Sequence, residues 1–261
     1  MTLMHAALGI GSGSLVGFTL GLIGGGGSIL AVPLLVYVVG VPSPHVAIGT
    51  SAVAVAASAA LNLAGHARAH TVKWPCALVF AASGIAGAAF GAQLGKMVDG
   101  ARLLALFGVL MVVIGALMLR PRRDGDNPDV RLNAESVATL LPWLIGGGLV
   151  VGALSGFFGI GGGFLIVPGL IAATAMPLLN AIGSSLVSVS AFGLTTAASY
   201  AWSGLVDWPL AALFIAGGAI GGFAGTRLAR HLSGHKNALT RVFSGIVILV
   251  GLYVIVRSTI G

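Results

Sequence analysis

Two glycine runs hold most of the chemistry this sequence offers. Gly24, Gly25, Gly26 and Gly27 stand in an unbroken row before Ser28, and Gly159 with Gly161, Gly162 and Gly163 forms a second, interrupted row. Glycine admits positive φ and lets other groups approach its backbone closely. Where a helix starts after such a run, several N–H groups lack an intrahelical acceptor and sit at the positive end of the helix dipole, an arrangement that suits an anion. Pro33 and Pro168 each lie nine residues beyond the first glycine of their run. If the following helix has already begun, each proline frees a carbonyl one turn back, at Ile29 or Phe164; if not, the proline is the helix start. Either way a broken or late-starting helix follows. The alternative use for these glycines is close helix packing.

Hydroxyls follow at matching places, in Gly49-Thr50-Ser51 and Gly183-Ser184-Ser185. They either donate to a bound oxygen or bond back to the carbonyl one turn earlier, the usual fate of Ser and Thr in apolar helices. Further along, Asn62, Ser199 and Tyr200 interrupt apolar surroundings and need partners. Asn62 and Tyr200 read as gate or substrate contacts, or as interhelical hydrogen bonds. A candidate binding set results: Gly24, Gly25, Gly26, Gly27, Ser28, Thr50, Ser51, Gly161, Gly162, Gly163, Ser184 and Ser185.

Other chemistries find no support. All six acids, Asp99, Asp124, Asp126, Asp129, Glu135 and Asp207, fall in expected loops, so no carboxylate is placed to relay protons or hold a cation within an apolar helix. Proton coupling would have to use a histidine such as His45 or His66, whose ordinary pKa is near 6.5; both also read as solvated residues at loop edges. The single cysteine, Cys76, has no partner, no C-x-x-C metal or redox motif occurs, and neither glycine run continues into a Walker or Rossmann pattern. No catalytic residue, metal site or cofactor is expected. The net charge of +7 comes from basic residues between apolar segments, without an aromatic-rich groove for nucleic acid.

The elements that must position these residues are set by composition. Of 261 residues, 57% are apolar, 7% are charged and 42 are glycine, with a mean hydropathy of +1.06. A soluble domain carries about a quarter of its residues charged. Residues 1–67 and 137–206 contain no Asp, Glu, Lys or Arg. Each stretch is long enough for more than one bilayer crossing at roughly 20 residues per helix. The sequence predicts an all-α polytopic membrane protein with segments over 3–23, 28–40, 45–65, 74–95 and 102–119, then 137–158, 163–175, 180–202, 208–229 and 239–257. The second segment of each group is too short to span comfortably and reads as broken or re-entrant.

The two groups match one another. Gly24 to Pro33 aligns with Gly159 to Pro168 at a shift of 135, and at a shift of 134 Ala47 to Ser51 meets Ala181 to Ser185, Trp74-Pro75 meets Trp208-Pro209, and Gly84, Gly87 and Gly91 meet Gly218, Gly221 and Gly225. This ordered agreement of Gly, Pro and Trp predicts an internal duplication, as in many transporters: a first membrane repeat over 1–119, a polar linker over 120–136 and a second repeat over 137–261. If each half crosses an odd number of times the repeats are inverted, and the connecting segments divide 10 basic residues to 3; parallel repeats would divide them 6 to 7. The positive-inside rule favours inversion, with the linker cytoplasmic and both termini outside. Glycines 87, 91 and 95, and 217, 221 and 225, recur every fourth residue. That pattern predicts helix packing within the fold, a homodimer interface being its other use.

The duplicated glycine run ending in Val-Pro, followed by Ala-Ile-Gly-Thr/Ser-Ser and Trp-Pro, resembles the sulfite exporter TauE/SafE family of bacterial membrane transporters, over both halves of the chain. The resemblance implies a multi-pass inner-membrane protein of about eight transmembrane helices that moves small sulfur-containing anions such as sulfite or organosulfonates. On this reading the substrate sits between the two glycine hairpins and crosses by alternating access, with the lipid bilayer and a coupling proton or other ion as the remaining partners. A passive anion channel, or a permease for another small organic anion, is the alternative. The first run reads Gly-Gly-Gly-Gly-Ser and the second Gly-Ile-Gly-Gly-Gly, so the two hairpins are not expected to present identical contacts.

Overall fold

A computed structural model describes residues 3–23, 25–119, 136–159, 163–231 and 236–260. Gly24, the linker over 120–135 and residues 160–162 lie outside the described residues, and with them Gly161 and Gly162 of the candidate set. The helices are α1 (Leu3–Ile23), a short composite helix α2 over 25–38, α3 (Pro44–Arg68), α4 (Trp74–Met97), α5 (Gly100–Leu119), α6 (Val137–Phe158), α7 (Gly163–Thr174), α8 (Leu178–Trp202), α9 (Trp208–His231) and α10 (Lys236–Ile260). The ten segments expected from the sequence coincide with these to within one helical turn. Among the described residues eight helices are long and apolar enough to cross a membrane, while α2 and α7 are not.

Local chemistry accounts for many of the boundaries. Ser43 caps α3 by accepting from the Val46 N–H, with Pro44 in the first turn. α6 stops at Gly159, which adopts φ +66°, a conformation that favours glycine. α2 runs as a 3₁₀ stretch over Gly25–Leu30, one α turn at Ala31–Pro33 and a π turn over Leu34–Val38. Pro33 therefore falls inside a helix that has already begun, as does Pro168 in α7. The missing N–H at Pro33 and the ring's demand for space disrupt regular α hydrogen bonding, and the chain changes helix type on both sides of it.

The outer surface is apolar. Phe90, Trp143, Leu194, Phe223 and Leu249 are each more than 60% exposed, as lipid-facing residues are. All four tryptophans, Trp74, Trp143, Trp202 and Trp208, are exposed and lie at or near helix ends, where an interfacial aromatic belt would stand.

Glycine sets the packing. On α4, Cβ atoms at Gly87, Gly91 and Gly95 would run into the carbonyls of Leu149, Ala153 and Phe157 of α6; on α9, those at Gly217, Gly221 and Gly225 would run into the carbonyls of Ile10, Ser14 and Phe18 of α1. The two four-residue glycine patterns thus serve packing inside the chain, backbone against backbone. Residue numbers rise together along both pairs, so α1 runs parallel to α9 and α4 parallel to α6. Elsewhere they run opposite ways: Gly108 of α5 abuts Gly251 and Ile255 of α10 while Gly115 abuts Ser244 and Ile248, and Gly49 of α3 abuts Tyr200 of α8 while Gly193 abuts Ala52 and Ala56. The tight turns over 69–73, 98–99 and 203–207 reverse the chain. One end of the bundle consequently gathers the starts of α1, α3 and α9 with the ends of α4, α6 and α8. The opposite end gathers the 69–73 turn, the end of α5 and the starts of α6 and α8.

Candidate functional site

The two short helices pack on one another inside the bundle. α7 packs on the 3₁₀ part of α2, and both touch α8. Gly27, Ser28, Ile29 and Leu30 are buried, as is Gly163. Gly27 faces the backbone of Thr19 and Leu20, where any Cβ would collide, so the chain doubles back tightly against α1. Gly159 closes the second hairpin in the same manner, its missing side chain making room for Ile48.

Ser51 ties α3 to that hairpin. Its hydroxyl stands 2.9 Å from the Ile48 carbonyl, one turn back, and 3.3 Å from the Gly159 carbonyl. Ser185, its sequence counterpart, donates to the Ile182 carbonyl at 2.8 Å. Of the two uses expected for these hydroxyls, bonding back to the preceding turn is present in both, and Ser51 adds a contact to the hairpin backbone.

Thr50 and Ser184 do something the sequence reading passed over. The Thr50 hydroxyl accepts from the Asp207 N–H at 3.0 Å, and the Ser184 hydroxyl accepts from the Lys73 N–H at 2.9 Å. Asp207 and Lys73 immediately precede α9 and α4, and the shift of 134 that relates Thr50 to Ser184 also relates Lys73 to Asp207. Each hydroxyl therefore completes a helix start in the other half of the chain, a task often done by a side chain within the helix itself. Gly49 and Gly183 allow it, since a Cβ at either would press on the connecting turn, at Leu205 or Thr71. Removing either hydroxyl takes a cap partner from a part-buried N–H, and Thr50→Ala and Ser184→Ala are each expected to cost about 1 kcal/mol. Thermal unfolding in detergent checks this; Thr50→Ser should melt as the wild type does.

Asn62 donates to the Ser58 carbonyl of its own helix at 3.0 Å. Tyr200 is fully buried and its hydroxyl has no hydrogen-bond partner among the described residues, and the hydroxyls of Ser155, Ser188, Thr196 and Ser199 are likewise buried and unpartnered there. Of these five, sequence reading singled out only Ser199 and Tyr200. Thr196 was within reach, because it is the repeat counterpart of Asn62, and Ser188 lies one turn beyond Ser184 and Ser185 on the same face of α8. Ser155 gave no signal, its counterpart being Leu20.

The two histidines stand near opposite ends of α3. His45 Nε2 lies 3.3 Å and 3.1 Å from the carbonyls of Gly95 and Val98, so it must carry the proton and donate. His66 Nδ1 lies 2.9 Å from the Thr71 hydroxyl, which itself donates to the His66 carbonyl. Asp99 and Asp207 are committed to helix starts, accepting from Ala101 and Arg102, and from Leu210. No cluster of His, Cys, Asp or Glu able to hold a metal occurs among the described residues. The arrangement offers buried glycine backbone at the starts of the two short helices and buried hydroxyls on α3 and α8.

The family model described as sulfite exporter TauE/SafE matches residues 9–254. A protein of Xylella fastidiosa strain 9a5c named probable membrane transporter protein is 54% identical over 99% of this chain and 98% of its own length. The probable membrane transporter protein YunE of Bacillus subtilis strain 168 is 27% identical, covering 92% and 93% of the two chains. The probable membrane transporter protein MJ0441 of Methanocaldococcus jannaschii is also 27% identical, over 70% of this chain and 67% of its own. No solved structure matches the chain with significance.

Proposed function

The chain belongs to the sulfite exporter TauE/SafE family of membrane transporters, and from that premise we propose that it is a secondary transporter, working as an exporter, for small sulfur-containing anions such as sulfite or organosulfonates. The observation that carries the reading is the packing of the two glycine-led short helices on one another, with Gly27, Ser28 and Gly163 at their starts buried. The substrate sits between the hairpins, against Gly24 to Ser28 on one side and Gly161 to Gly163 on the other, with Ser51 and Ser185 at their flanks.

Alternating access rests on inverted repeats. The antiparallel courses of α3 and α8 and of α5 and α10, helices that correspond in sequence, support inversion. So does the exchange of partners by which α1 packs on α9 and α4 on α6. The end of the bundle that leads into the linker collects Arg68, Lys73, the linker arginines and the basic residues around the α9–α10 connection, which supports a cytoplasmic linker, external termini and an inner-membrane location.

Flux of sulfite into proteoliposomes tests the proposal. The expected result is saturable uptake that accelerates when unlabelled sulfite is loaded on the far side. Uptake that rises linearly with concentration and shows no counter-transport would instead mark a passive channel of the same architecture.

A further inference from the structure

The last turn of α4 gathers side chains that the hairpin site does not use. Lys96 Nζ donates to the Ser199 carbonyl at 3.2 Å and to the Ser203 hydroxyl at 3.0 Å, and lies 5.8 Å from the centre of the Tyr200 ring. It has no carboxylate partner among the described residues. Two of the ammonium's three donors are spent on neutral oxygens, which leaves one donor and the full charge for another ligand. The Tyr200 hydroxyl lies against the same turn of α4: a Cβ on Gly95, the residue before Lys96, would stand 3.2 Å from that oxygen. Tyr200 is fully buried, and both its hydroxyl and that of Ser199 lack partners. A buried phenol without a partner is costly and needs a reason.

The neighbouring polar groups are engaged elsewhere. Asp99 and Asp207 accept from helix starts, and His45 Nε2 donates to the Gly95 and Val98 carbonyls. Packing contacts lead inward from the tyrosine. A Cβ on Gly49 would lie 2.9 Å from the Tyr200 Cβ, and Ser51, two residues on, donates to the Gly159 carbonyl of the second hairpin. Tyr200 thus packs between the Lys96 ammonium and the part of α3 whose Ser51 reaches the second hairpin.

We propose that Lys96 and Tyr200 form a second oxyanion contact, at the ends of α4 and α8, which the anion occupies on its way between that end of the bundle and the glycine hairpins. Lys96 supplies the charge, the Tyr200 hydroxyl a directed donor, and Ser199 a further hydroxyl. The shift of 134 carries Lys96 onto Arg230 and Tyr200 onto His66, so the sequence sets a cation and a polar ring at the corresponding place in the other half. The inference rests on the anion reading above and adds to it a contact away from the hairpins.

Sulfite exchange in proteoliposomes, with sulfite presented at the end that holds Lys96, is the test. Lys96→Gln is expected to raise the half-saturating concentration about tenfold, as loss of one charge-assisted hydrogen bond would, with turnover nearly unchanged. Lys96→Arg should restore it, Tyr200→Phe should raise it, and its dependence on ionic strength should vanish in Lys96→Gln. Sulfite presented at the opposite end should show an unchanged half-saturation. Monodisperse Lys96→Gln protein with wild-type half-saturation overturns the contact, and so does a loss of flux that Lys96→Arg fails to repair. Wild-type protein that ignores sulfite but exchanges nitrate in a Lys96-dependent way keeps this contact and overturns the sulfur-anion reading. Exchange of neither anion overturns both.

Discussion

Leucine at Gly91 or Gly221 is expected to abolish the folded protein. A Cβ at Gly91 would occupy the place of the Ala153 carbonyl, and one at Gly221 that of the Ser14 carbonyl. Backbone cannot swing aside as a flexible side chain can, so the helices must part along their length. Overpacking of this kind costs roughly 1–3 kcal/mol, and more where the obstacle is rigid. Separation would also break the contacts at Gly87 and Gly95, or at Gly217 and Gly225, which are built the same way. Within a bilayer close packing supplies much of the association between helices, because lipid tails are as apolar as the side chains. Thermal unfolding in detergent, followed by size-exclusion profile, reads the outcome. Gly11, Gly65 and Gly146 provide the contrast, since no atom lies within 4 Å of a Cβ built on any of them. Alanine at these three should be neutral or stabilising by up to about 1 kcal/mol. Equal melting of Gly91→Leu and wild-type protein would contradict this account of the packing.

A single methyl at Gly159 should suppress transport while leaving a folded protein. The residue ends α6 at φ +66°, where an ordinary side chain costs about 1–2 kcal/mol, and the added Cβ would also collide with the Ile48 side chain. Relief requires the hairpin to shift, and a shift moves the carbonyl that Ser51 contacts and the start of α7 beyond it. Gly159→Ala is expected to lower sulfite flux at least about tenfold, the scale on which misplacing a binding group acts. Asparagine tolerates the left-handed region better than alanine, and Ile48→Ala removes the Cγ2 atom that makes the worst of the collision. The double variant Gly159→Asn with Ile48→Ala should therefore recover part of the flux. Wild-type flux in Gly159→Ala, or no recovery in the double variant, would show that hairpin geometry does not govern transport.

The helices themselves were legible because their signals are local. Apolar run length, the Trp-Pro pairs and the αL glycine at 159 act within a few residues, so the ten segments could be placed to within a turn. The glycine faces were legible too, since a repeat of four residues marks a helix face whatever lies opposite. The hydroxyls were not. Thr50 and Ser184 were expected to bond back along their own helices or to meet a ligand, and instead they cap helix starts 157 and 111 residues away. Neither partner is marked in the sequence, because a backbone N–H is present at every residue except proline.

Taken alone, the sequence determined that this is a helical membrane protein with two short, glycine-led segments, since bilayer thickness and the conformational range of glycine constrain the chain one segment at a time. Only the tertiary structure decided which helices touch: α1 with α9 and α4 with α6, each first helix against the fourth of the other half. It also decided that the Tyr200 hydroxyl is buried without a partner next to Lys96, whereas Ser51 reaches the second hairpin. These outcomes depend on distances between residues far apart in the chain, which no local pattern encodes.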